Sequence, residues 1–292
     1  MQNVHRTSSA SDVLKRRWPR GLLALLVVVV AGALVAAMLA DRQVEGAIPG
    51  EDPILSLAVT KAGYMVGTSK GTFESDDGAI WKRSTRFGRE RTLVVTHDEG
   101  VMTHSARVLA FTTDFKEYAP GFSGLLSAIA ISSDVEANLY LAEDPYHIQL
   151  VTKDSSLQRL RIGKGPKEII AIAGIAGDPV TLLAGGLTSG LWRSADGGVK
   201  WLQILKTPTR ALLVDSEDSK RIYLGTAGGV FVSRDGGFRW LPTQMSFSVE
   251  ALSQYEGEVF AVTEDRIVYS SSDGDKDWKV LTAGSGSSYP KP

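Results

Sequence analysis

The chain contains no cysteine, so neither disulfides nor thiolate metal sites exist in it. That absence leaves the redox compartment open. Histidine is scarce: His5, His97, His104 and His147 stand at spacings that suit no chelating pair. A basic excess is missing too, because 32 Lys and Arg face 33 Asp and Glu. Such a balance lacks the electrostatic footprint of a nucleic-acid binder. Beyond residue 40 there is no long helical period and no extended apolar run.

One apolar run does occur before that point. Gly21–Ala40, GLLALLVVVVAGALVAAMLA, is uncharged and is about as long as a bilayer-spanning helix requires. Lys15, Arg16, Arg17 and Arg20 precede it, whereas Asp41, Arg42 and Glu45 follow. Basic flanks stay on the cytoplasmic side. Residues 1–20 are therefore expected to form a cytoplasmic basic tail. Residues 21–40 are expected to cross a membrane once, with the rest extracellular or periplasmic. The competing reading is a cleaved signal peptide, with Val35-Ala36-Ala37 as its small-residue site. Charge divides at the same boundary: residues 1–20 carry five basic side chains and one acidic, leaving 27 and 32 for the remainder. Residues 41–51 read as a linker, and the Gly/Ser/Pro stretch 285–292 reads as a disordered tail.

A repeat fills the space between. SADGGVKW (Ser194–Trp201), SRDGGFRW (Ser233–Trp240) and SSDGDKDW (Ser271–Trp278) share one pattern, and ESDDGAIW (Glu74–Trp81) follows it one residue out of phase. TTDFKEY (Thr112–Tyr118) and TKDSSLQR (Thr152–Arg159) are weaker copies. The central acids are Asp77, Asp114, Asp154, Asp196, Asp235 and Asp273, at steps of 37, 40, 42, 39 and 38 residues. Each unit also holds short apolar segments, such as ILSLAV, EIIAIAG and RALLV, bounded by Gly, Asp and Ser; these are strand signals. A unit reads as an apolar inner strand, a second strand, a third ending in the box, and a fourth beginning at the Trp. The box supplies a corner. Gly78, Gly197, Gly198, Gly236, Gly237 and Gly274 tolerate positive φ. Ser75, Ser194, Ser233 and Ser271 close the turn with the acids, and Trp81, Trp201, Trp240 and Trp278 bury against the hairpin. A twisted four-stranded unit cannot bury its faces alone, and radial packing solves this. The expected fold is all-β: a six-bladed β-propeller over residues 52–284, preceded by the transmembrane helix.

The pattern S-x-D-G-G-x-x-W resembles the Asp-box, or BNR repeat, of sialidases, sortilin-type receptors and propellers similar to the photosystem II assembly factor. The resemblance implies a propeller. It implies no particular chemistry, because this fold hosts many functions.

By fold analogy, ligands of propellers meet the loops between blades, on the rim away from the boxes. Here those loops carry Arg83, Arg86, Arg89, Arg91, Arg161 and Arg210, together with Lys164, Lys167 and Lys206. Arg91, Glu168, Arg210 and Glu250 fall where inner strands begin. Guanidinium forks recognise carboxylate and phosphate, which makes the six arginines a candidate anion-binding face; ordinary surface solvation is the alternative. No catalytic residue, metal ligand or cofactor site is assigned. The sialidase-type site implied by the resemblance needs an arginine triad and a Tyr–Glu pair, and the chain lacks the Arg-Ile-Pro signature. Asp273, Asp275 and Asp277 mimic the start of a calcium loop, but Trp278 and Gly284 occupy the positions that require Gly and Glu. The reading is a membrane-anchored, extracytoplasmic platform that binds a protein or a glycan. A sialidase-like exo-glycosidase is the alternative. Nothing in the sequence sets the oligomeric state.

Overall fold

The computed structural model describes residues 46–281 apart from 88, 98–99, 106–107, 112–125, 132–138, 145–146, 152–156, 176 and 178. They belong to one compact unit, Glu45–Pro292. Among the described residues no helix is long and apolar enough to cross a membrane. The run Gly21–Ala40 and the tail 285–292 lie outside them.

Short apolar segments pair as antiparallel neighbours in chain order. The first sheet is β1 (Ile54–Thr60), β2 (Gly63–Thr68), β3 (Gly71–Ser75) and β4 (Lys82–Arg83). The second is β5 (Thr92–His97), β6 (Gly100–Ser105) and β7 (Val108–Phe111). The third is β8 (Ala128–Ile131), β9 (Leu139–Asp144), β10 (His147–Val151) and β11 (Leu157–Arg161). The fourth comprises β12 (Ala171–Ile175), β13 (Thr181–Gly186), β14 (Gly190–Ser194) and β15 (Leu202–Leu205). The fifth comprises β16 (Ala211–Val214), β17 (Ile222–Thr226), β18 (Gly229–Ser233) and β19 (Leu241–Pro242). The last comprises β20 (Val249–Tyr255), β21 (Glu258–Thr263), β22 (Val268–Ser271) and β23 (Lys279–Val280).

Inner strands β1, β5, β8, β12, β16 and β20 pack side by side, and β20 returns to β1. The protein is an all-β propeller. The expected count of six four-stranded blades is corrected: five sheets are complete blades and β5–β7 has three strands. Residues 112–125, which include the weak box copy around Asp114, lie outside the described residues. A second refinement concerns the outer strands. The third strands β3, β14, β18 and β22 all end on a box serine, but β4, β15, β19 and β23 begin one residue after the Trp.

The core lies between adjacent sheets. Second strands such as β17 and β21 bury almost every side chain, because both faces meet a neighbouring blade. The first and last sheets share Tyr64, Trp81 and Phe260, with Tyr64 edge-on to Phe260 at 5.6 Å. Burying each such ring contributes about 1.5–3 kcal/mol. A strap closes this junction. Ala47 bridges Ile267, and Arg266 donates to the carbonyls of Ile48 (2.7 Å), Pro49 (2.9 Å) and Asp52 (2.6 Å). Lys70, between β2 and β3, pairs with Asp52 at 2.9 Å. The strap thus lies on the rim formed by the second-to-third-strand turns and the links between sheets.

Candidate binding surfaces around the channel

The box corners stand on the opposite rim. In the fourth sheet, Ser194 Oγ donates to Asp196 Oδ1 (2.8 Å) and accepts from the Gly198 amide (2.8 Å). Asp196 Oδ1 accepts from the Lys200 amide, and Trp201 Nε1 donates to the Gly198 carbonyl, both at 2.8 Å. Ser233, Asp235, Gly237 and Trp240 repeat this arrangement in the fifth sheet. Ser75, Asp77, Gly78 and Trp81 close the first in the same way with one residue fewer. In the last sheet, Ser271 and Asp273 bond the turn around Gly274. There Asp275 replaces the second glycine, Asp277 takes a φ of 51°, and Trp278 Nε1 has no hydrogen-bond partner among the described residues. Asp154 lies outside the described residues.

These bonds set the charge state of the corners. Amide donors, from Lys200 to Asp196, from Arg239 to Asp235 and from Lys276 to Asp273, hold the carboxyls below their ordinary range. At Asp77 burial acts to raise the value, and the amides of Ile80 and Ala79 with the Ser75 hydroxyl outweigh it. Every described corner acid is engaged within its own turn, which is a structural task.

A cavity of about 490 Å³ runs between the inner strands, walled by side chains such as Leu55, Val95, Ile129 and Leu212. Its charges sit at the ends. Where β16 and β20 begin, Arg210 bonds Glu250 and donates to Ser248 Oγ at 2.9 Å, with Glu264 at 3.9 Å. Burial pushes the Glu250 carboxyl up; the Arg210 charge opposes that shift and Glu264 adds to it. Arg91 caps the carbonyls of Leu126 and Ser127. Glu168 accepts from the amide (3.0 Å) and hydroxyl (2.9 Å) of Thr188. Arg83 stands on the outermost strand, 4.6 Å from the centre of the Phe73 ring, and donates to the Lys70 carbonyl at 2.7 Å. Arg86 and Arg89 are exposed on the link between β4 and β5. Arg161 ends β11, and its side chain is outside the description. The five arginines whose side chains are described thus occupy different tasks: Arg83, Arg91 and Arg210 hold protein groups, while Arg86 and Arg89 face solvent.

Tyr223 is buried, and its hydroxyl donates to the Asp273 carbonyl at 3.1 Å. Among the described residues no three His, Asp or Glu side chains gather to hold a metal.

Sequence reasoning passed over one surface. Phe238 and Leu202 are 67% and 69% exposed. Arg193 stacks over the Phe238 ring at 4.4 Å, and Arg193 pairs with Leu202 across β14 and β15. Together they form an exposed patch where the corner of the fifth sheet meets the fourth. The available signal was the apolar residue directly after the Gly-Gly of a box, at a turn tip where solvent exposure favours polar side chains.

No known family model matches the chain, and no curated protein matches it. Solved structures do resemble it. One is the extracellular domain of a putative hybrid two-component system from B. thetaiotaomicron, at 16% identity and a TM-score of 0.52 over 82% of this chain; the chain spans about a third of that structure's length (34%). Another is YCF48 bound to D1 peptide, at 10% identity and a TM-score of 0.53, covering 76% of this chain and 94% of that one. The WD40 β-propeller domain of Doa1 gives 13% identity and a TM-score of 0.56, covering 82% and 86%. At these identities the likeness establishes the propeller fold and nothing of its ligands.

Proposed function

We propose that the chain is a membrane-anchored, extracytoplasmic propeller with Asp-box corners, in which β5–β7 stands as the sixth blade, and that it serves as a binding platform for a protein partner. The exposed patch of Leu202, Arg193 and Phe238 carries this reading. An exposed aromatic ring and an exposed Leu flanking a stacked guanidinium have the composition of interface anchors. The channel supports binding over glycoside cleavage: its wall is mainly apolar, its polar members are chiefly hydroxyls and an amide such as Ser56, Thr96, Ser253 and Gln254, and Glu250 is held by Arg210. The peptide bound to YCF48 agrees with a propeller of this build receiving a protein chain.

The test is capture from detergent-solubilised membranes by the full chain and by a Phe238→Ser, Leu202→Ser variant. A specific protein retained by the parent should bind the variant roughly 30-fold more weakly, as losing an aromatic anchor costs about 2 kcal/mol. Equal capture by both rejects the patch. A fluorogenic sialoside turned over by the parent would instead favour the glycosidase.

A further inference from the structure

Resting on the membrane-anchored reading, we infer that the loop rim of the propeller docks onto an anionic lipid surface. Three observations carry this. First, the described chain begins on that rim: the strap Ala47–Asp52 is clasped by Arg266 and Lys70, both in turns of that rim. Only residues 41–45 separate Gly46 from the apolar run that ends at Ala40. Extended chain covers at most about 3.6 Å per residue, so the tether between that run and this rim reaches roughly 20 Å at most.

Second, the rim carries cations that the fold does not use. Arg86, Arg89, Lys164, Lys167 and Lys206 are exposed on three of the links between sheets and have no ion pair among the described residues. On the same rim Asp52 is held by Lys70, Glu168 by Thr188, and Glu250 and Glu264 by Arg210, while Glu51 and Glu90 are exposed without an ion pair among the described residues, so five such cations face two such carboxylates. The chain as a whole is formally −1, so this basic surplus is local. Third, two apolar side chains stand among the cations. Leu187 is 44% exposed in the β13–β14 turn, and Phe247 is 54% exposed in the link before β20, stacked on Tyr269 at 5.6 Å. Basic side chains around an exposed aromatic and a Leu suit the headgroup boundary: the cations meet phosphate and the apolar groups enter the upper acyl region.

The absence of native cysteine makes the test direct. A single Ser246→Cys on the loop rim, or Ser272→Cys on the corner rim, takes a thiol-reactive fluorophore in the full chain. Each is reconstituted into phosphatidylcholine vesicles with or without phosphatidylglycerol, with a lipid-borne quencher. Flotation after an alkaline wash reports the anchor separately. The expected result is retention after the wash in both lipids, with the Ser246 probe quenched several-fold more in anionic vesicles and the Ser272 probe unaffected. Adding Lys164→Glu and Lys167→Glu should abolish that contrast, since each basic residue near an anionic surface contributes roughly a factor of five to partitioning. Retention with equal quenching of the two probes, or equal quenching of the Ser246 probe in both lipids, overturns the docking and leaves the anchor standing. Release by the wash overturns the anchor and the docking with it.

Discussion

At the scale of single residues, the corners are small hydrogen-bond closures in which serine, acid and turn amides bond one another. Ser194 and Ser233 are fully buried, so truncation leaves two partners wanting. Ser194→Ala and Ser233→Ala should each cost about 1–3 kcal/mol in urea unfolding. The corner acids make stability depend on pH. Their folded pKa lies below the ordinary 3.8, so their stabilisation is complete above that value and fades as pH falls through the lower folded value. Asp196→Asn with Asp235→Asn should therefore flatten the fall of stability below about pH 4, as followed by thermal melts across an acid series. The serine, acid and glycine of each corner are legible in the sequence, since residue type dictates that turn. The bonds of Arg91 and Arg210 are not: a guanidinium near a strand start takes whichever carbonyl or carboxylate the neighbouring blade presents.

At the scale of elements, the same corner behaves differently according to the blade it rests on. Gly274 and Gly236 occupy the equivalent box position and share a positive φ, 66° and 76°. A methyl on Gly274 would meet the Tyr223 ring at 2.5 Å, whereas one on Gly236 would meet nothing within 4 Å. Gly274→Ala should therefore destabilise more than Gly236→Ala, by about 1–3 kcal/mol of overpacking against a buried ring. Equal melting temperatures for the two variants would contradict that packing. The alternation of apolar segments with Gly, Asp and Ser shows the strands, and the box serine marks where the third one ends. The outer strands are less visible: β4, β19 and β23 are two exposed residues each, with no apolar pattern to betray them.

At the scale of the whole molecule, a ring must be closed, and here the first and last blades meet through Tyr64, Trp81 and Phe260 with the strap drawn across. Arg266→Ala removes three carbonyl contacts at once and should lower stability by roughly 2–4 kcal/mol. Amide exchange should rise first at Ile48, whose amide donates to the Arg266 carbonyl. Exchange unchanged there would mean that the strap contributes nothing to closure. The sequence by itself determined the repeat, the corner chemistry and the radial architecture, because a hairpin staple needs particular residue types and recurs once per blade. Only the tertiary structure decided that five sheets are complete, that Arg210 is bound by Glu250, and that Phe238 stands in the open beneath Arg193. The physical reason is locality. Turns and strands answer to residues a few positions apart, whereas these pairings join side chains from different blades, whose meeting depends on how the ring closes.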